Sequence, residues 1–223
     1  MQEKIVPLFV KLLLKGLKIR MCGRFPLVKV LGERQGNMEQ ELIFKLYSIM
    51  KKAKWFERKF PSIEDNGLLP SIIERLSSTS SRIEEIINNT NVDILQLKSE
   101  NKWSIKEEVG HMGDLEPLWL GRVCDLINRT EELRAADLTN QKTNIANHNT
   151  SNIKFLVKHF RSQREQLVSE LRNLNSEVLL RFSLHPRLKT PMRIIDLAFF
   201  VAEHDDHHLA TIQELIYKYN RQI

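Results

Sequence analysis

From about residue 67 onward, apolar positions recur at steps of three and four, the period of a helix with one buried face. Between about 67 and 89 the stripe is Leu69, Ile72, Leu76, Thr79, Ile83 and Ile86, with Pro70 in the first turn, where its missing N–H is harmless. Between about 105 and 130 it is Ile105, Val109, Met112, Leu115, Trp119, Val123 and Leu126. Ser104 and Glu107 stand three apart at its start, the spacing of a capping box. A third stripe, Ile153, Leu156, Phe160, Leu167, Leu171 and Leu174, spans about 150–173. A fourth helix is expected from Thr190-Pro191, read as an N-cap followed by an N1 proline, to near Tyr219.

A further helix is expected over 38–60, closed by Pro61. No segment alternates with period two for long, so no sheet is expected. The pattern predicts an all-α four-helix bundle with an extra N-terminal helix. The polar joint over 131–149 is long enough to cross the bundle, which would set the second and third helices parallel. Three regions follow: a leader, 1–37; a helical extension, 38–65; and the bundle, 66–223.

Charge alters the reading of the leader. The chain of 223 residues carries a net charge of +6. Residues 1–37 hold eight basic and two acidic side chains, and the remainder holds 26 of each. A neutral body removes the main support for a nucleic-acid partner. In the leader, Lys4, Lys11, Lys15 and Lys18 share one helical face and Ile5, Leu8, Phe9, Leu12, Leu13 and Leu17 cover much of the rest. That pattern suits an anionic membrane surface. The alternative is that translation begins at Met38, and both readings stay open. No run of eighteen apolar residues predicts a membrane span. Two cysteines, Cys22 and Cys124, without ligand spacing point to a reducing compartment, hence the cytoplasm.

The candidate chemistry lies in VAEHDDHHLATI, Val201–Ile212. On the fourth helix, Ile194, Leu197, Val201, His204, His208, Thr211 and Leu215 form one stripe, so His204 and His208 point inward one turn apart. Histidines at i and i+4 offer two nitrogens to one divalent ion. A pair of hydrogen-bonded core histidines would give the same spacing. His207 falls off the stripe, toward the flank with Glu203 and Glu214. A third ligand from a facing helix is best supplied by His111, beside Met112 and Leu115. Glu107, Glu108 and Asp114 lie within a turn of it, placed to orient an imidazole or accept a proton. Of these, Glu107 and Asp114 are the catalytic candidates. Turn punctuation explains His185, which precedes a proline; His148 and His159 show no partner pattern. Asp205 and Asp206 could support the ligands from behind, but acidic residues on an exposed face need no such role.

WSIKEEVGHMGDLE (Trp103–Glu116), taken with HPRLKTPMRIIDLAFFVAEHDDHHLATI (His185–Ile212), resembles the DinB/YfiT-like superfamily of metal-dependent enzymes. The resemblance spans roughly 66–217. It implies a four-helix bundle with a crossover between helices two and three. It also implies a divalent ion, such as zinc, nickel or iron, held by His111, His204 and His208. Members act as hydrolases, as S-transferases using low-molecular-weight thiols, or as isomerases. A small-molecule substrate, with a thiol among the candidates, is therefore expected. The rival expectation is a non-enzymatic metal-binding or stress-related bundle protein. A homodimer is compatible with either.

Overall fold

The computed structural model of the protein describes residues 20–22, 25–27, 52–99 and 102–221. The chain divides into two compact units, Met1–Ala53 and Lys54–Ile223. In the first, Arg20–Cys22 pairs antiparallel with Phe25–Leu27. The basic helical face expected over Lys4–Lys18 lies outside the described residues.

The second unit is built on four long helices, Leu69–Asn88, Ile105–Ile127, Ile153–Arg172 and Ile194–Asn220, here the first to fourth. Their directions follow from which residues meet. Gly113 lies against Phe160 and Glu116 against Arg164, so the second and third helices run the same way. Thr79 meets Asp205 and Arg82 meets Asp206, so the first and fourth do too. Glu74 meets Arg172 while Glu84 meets Arg161, so the first and third are opposed. The joint after the second helix therefore crosses the bundle. It carries a short helix, Gln141–Ala146, and a 3-10 turn, His148–Thr150.

Local signals explain most helix ends. At the second helix both arms of the capping box form: Glu107 N–H donates to Ser104 Oγ at 3.2 Å, and Ser104 N–H to Glu107 Oε2 at 2.9 Å. The third starts at Asn152, whose side chain accepts from Lys154 N–H. The fourth helix corrects the expectation. Thr190-Pro191 does not cap it. Pro191–Arg193 instead pairs antiparallel with Phe182–Leu184. Proline is tolerated there as the first residue of its strand. These three-residue strands are too short for a period-two pattern to register. The helix begins at Ile194, where Asp196 accepts from the N–H of Arg193 at 3.1 Å and of Ile63 at 2.7 Å.

Of the helix expected over 38–60, residues 38–51 lie outside the described ones. Lys52–Phe60 contains a single 3-10 turn, Trp55–Glu57, with Lys54 and Arg58 extended on either side. The extended backbone lets both Trp55 and Phe60 reach Phe200, with ring centroids 5.1 and 4.7 Å away.

The core forms two apolar clusters. Each helix contributes a buried polar side chain to one network: Thr79, Glu116, Arg164 and Asp205. Arg164 donates Nε to Glu116 Oε2 at 3.0 Å and Nη2 to Glu116 Oε1 at 2.6 Å. Its Nη1 also bonds Asp205 and the Leu76 carbonyl, and Thr79 Oγ1 donates to Asp205 Oδ2 at 2.8 Å. Burial alone would lower the pKa of Arg164, but Asp205 and Glu116 outweigh it and hold the guanidinium above its ordinary value. Asp205, read from the sequence as exposed, is 2% exposed. Asp206 does face outward, paired with Arg75 and Arg82.

Truncating one member of such a network strands the others. Arg164→Leu should lower stability by about 3–5 kcal/mol, against at most ~1 kcal/mol for Arg172→Leu in the exposed pair with Glu74. Urea unfolding of both variants checks this; equal small losses would refute it.

Candidate metal centre

His111, on the second helix, and His204 and His208, on the fourth, are all buried, and one ring nitrogen from each lies within 4.8 Å of the others. His204 Nε2 and His208 Nε2 stand 3.1 Å apart. Nitrogens 2.0–2.1 Å from a tetrahedral ion stand about 3.3 Å apart. The spacing thus suits two ligands of one cation.

Hydrogen bonds on the far side of two rings set their tautomers. His208 Nδ1 lies 2.6 Å from Glu108 Oε2. A carboxylate there accepts the Nδ1 proton and leaves Nε2 with its lone pair. His111 Nδ1 lies 3.0 Å from Thr143 Oγ1, and that hydroxyl donates to Asp114 Oδ2 at 2.9 Å. With its proton committed, the hydroxyl accepts from His111 Nδ1–H, and Nε2 again carries the lone pair. His148 Nε2 approaches the same Asp114 Oδ2 at 2.8 Å.

His204 differs: its Nδ1 is buried with no hydrogen-bond partner among the described residues. Burial, and after it the neighbouring rings His208, His111 and His207 and then Arg164, holds its pKa well below the ordinary value. Burial and His208 likewise push His111 down to about 3. Three buried ring nitrogens gathered this closely can form a donor set for a divalent cation.

The cluster opens onto a cavity of about 430 Å3 walled by Trp55, Trp103, Trp119 and Phe200. Trp103 packs on His111, centroids 4.4 Å apart, and Trp119 on His204 at 5.4 Å. His207 lies on the cavity wall beside Trp55, outside the group of three.

The carboxylates singled out in the sequence part company. Glu107 is spent on the helix cap and on Lys98. Asp114 reaches His111 only through Thr143. The carboxylate that touches a ring of the cluster is Glu108. Three participants escaped the sequence reading. Thr143 and His148 come from the crossover, where no periodicity points inward. His185 is not mere turn punctuation: it is buried, and its Nδ1 accepts from the N–H of Arg187 at 3.2 Å and Leu188 at 3.1 Å. One signal was available for His148. Gly110 interrupts the second helix beside His111, and a Cβ there would lie 2.3 Å from the His148 ring.

The sequence pattern of the DinB superfamily matches residues 75–212. No curated protein matches the chain. Among solved structures, the fold is similar to YfiT from Bacillus subtilis, described as "a probable metal-dependent hydrolase with an unusual four-helix bundle topology". The TM-score is 0.63 at 17% identity, over 73% of this chain and 94% of that one. It is also similar to a mycothiol-dependent maleylpyruvate isomerase, with a TM-score of 0.52 at 10% identity, over 75% of this chain and 70% of that one.

Two outcomes follow. Gly110→Ala should displace His148, release Asp114 and Thr143, and weaken divalent-ion affinity by about 10–100-fold while all three ligands remain; unchanged affinity in a competition titration would refute the relay. His185 has its pKa lowered to about 3, by burial first and then by Arg122, Arg187 and Lys189. Unfolded, the ring takes up its proton near pH 6.5, so stability is intact above that pH and is lost as pH falls toward 3. In metal-free protein, His185→Asn should make the fall in unfolding free energy between pH 6.5 and 4 shallower by on the order of 1 kcal/mol per pH unit.

Proposed function

The chain belongs to the DinB superfamily, and from that premise we propose that it is a metal-dependent enzyme of the hydrolase or thiol S-transferase type. The observation that carries the reading is the convergence of three buried imidazoles beside a cavity. His111, His204 and His208 would hold a divalent ion, with zinc, nickel and iron all suited to imidazole. Bound there, it supplies Lewis-acid chemistry, lowering the pKa of a water or thiol or polarising a carbonyl. Three protein ligands leave coordination open for a reactant, as in catalytic rather than structural sites.

The chain's own residues do the rest. Glu108 holds the proton on His208 Nδ1 and fixes that ring. Thr143, Asp114 and His148 do the same for His111, so Asp114 acts by positioning a ligand. Glu107 fixes the start of the helix that carries His111. The tryptophan walls keep bulk water from the nitrogens and sharpen every charge interaction inside. The isomerase and hydrolase descriptions of the two similar structures support a small-molecule substrate. A thiol co-substrate stays within the proposal, as does the cytoplasm, on the strength of the two cysteines. A cavity of this size favours an enzyme over a storage or stress-related metal protein, which needs no room for substrate.

Metal analysis of the purified full-length chain tests the premise. Wild type and His207→Ala should carry about one divalent ion per chain, and His204→Ala and His208→Ala should carry little. Wild type that purifies without metal and cannot be reconstituted with zinc, nickel or iron would end the proposal. Turnover of an ester, amide or thiol-acceptor panel by the loaded enzyme, lost in His208→Ala, would separate enzyme from metal binder.

A further inference from the structure

The cavity has a second chemical end. Beyond Trp119 its wall carries Arg122, Arg187 and His185. The Arg122 guanidinium stacks on the Trp119 ring 5.3 Å from its centroid, and the other neighbour of that indole is His204. One tryptophan thus separates the guanidinium from the histidine cluster.

Arg122 is 2% exposed, yet no carboxylate is among its hydrogen-bond partners. Its Nε donates to the Arg134 carbonyl at 3.0 Å, and Nη1 faces His185 Nε2 at 3.3 Å. The nearby Asp125 is taken by Arg134, which it binds through three side-chain contacts and the backbone N–H. Arg187 lines the same end, and its Nη2 is buried with no hydrogen-bond partner among the described residues. Asp137 is the one carboxylate on the cavity wall among the described residues, and it is turned into its own loop, accepting from Thr139 and Gln141.

Burial lowers the pKa of Arg122 to about 10 against the attraction of Asp125, with Arg187 and Arg134 adding to the fall, so it remains a cation at neutral pH whose nearby carboxylate is hydrogen-bonded to Arg134 instead. A desolvated cation is costly until it is paired. Arg164, in the same bundle, shows what pairing looks like: two carboxylates on one buried guanidinium. Arg122 has the burial and the attraction of Asp125, but among the described residues no carboxylate hydrogen-bonds it.

We propose that Arg122 and Arg187 form a carboxylate subsite, and that the substrate is an organic acid whose carboxylate docks there while its reacting group lies at the histidine cluster. The aromatic walls between the two ends fit an apolar or aromatic body. A planar guanidinium matches a carboxylate through two parallel N–H donors. The proposal names a substrate class for the site above and rests on that reading for which end reacts. The subsite itself does not need the metal.

All three tryptophans of the chain line the cavity, so their fluorescence reports occupancy directly. The probes are 3-phenylpropionate, its neutral amide, and phenyl phosphate, titrated into the full-length protein both zinc-loaded and metal-free. The acid should bind at least about tenfold tighter than the amide in both forms. That preference should survive in His204→Ala and collapse in Arg187→Met, a change at a half-buried residue that spares the fold. Arg122→Gln is the second variant, read only if its thermal unfolding matches wild type. Equal binding of acid and amide overturns the subsite. A preference that disappears with the metal but persists in Arg187→Met also overturns it, since the carboxylate would then sit at the histidines. Tighter binding of phenyl phosphate by about tenfold or more reassigns the occupant and overturns the organic-acid reading. An arginine-dependent preference in a protein that never binds metal would leave this subsite standing and remove the metalloenzyme reading alone.

Discussion

One buried guanidinium sets the geometry of the bundle. Arg164 comes from the third helix and binds Glu116 of the second, Asp205 of the fourth and the Leu76 carbonyl of the first. Apolar stripes alone tolerate sliding by a turn, because one leucine layer packs much like the next. A single cation that must meet two carboxylates does not. Moving the second, third or fourth helix by one turn would bury an unpaired charge, a far larger cost than a packing defect, and moving the first would cost Arg164 and Asp205 a hydrogen bond each. The polar layer therefore fixes the register of all four helices. Asp205 is the direct neighbour of His204, so the register that seats the carboxylate also seats the imidazole.

The three imidazoles inherit that precision, and the support behind them divides between two sources. His208 is held by Glu108, from the helix that carries His111. His111 is held from the crossover, through Thr143 and on to Asp114 and His148. Each ring keeps its proton on the side away from the cluster. His204 has no such partner at Nδ1, and its position rests on Trp55, Trp119 and the polar layer.

Much of this was legible in the sequence. Period and capping residues gave four helices, a crossover and the stripe holding His204 and His208, because those features depend on local spacing. What depends on contact between distant segments was not legible. Arg164 fills the gap in the third stripe between Phe160 and Leu167, but an arginine there reads as an interruption of the buried face until its carboxylate partners on two other helices are known. Asp205 lies inside a run of charge and reads as solvated. Glu107 and Glu108 both stand within a turn of His111, and which of them meets His208 depends on the facing helix. The strand at Pro191 was hidden by a Thr-Pro pair that imitates a helix start.

The crossover gives the molecule a division of labour with an evolutionary edge. The three imidazoles stand on long helices locked by a charged layer, where substitution is punished. The groups that set the basicity and tilt of His111 stand on a connecting segment, where insertion and replacement are tolerated. The setting of His111 can then drift through changes in Thr143, His148 and their loop while the three imidazoles and the bundle remain as they are. A scaffold arranged in this way can keep one donor set and serve different reactions, by rewriting the connection instead of the site.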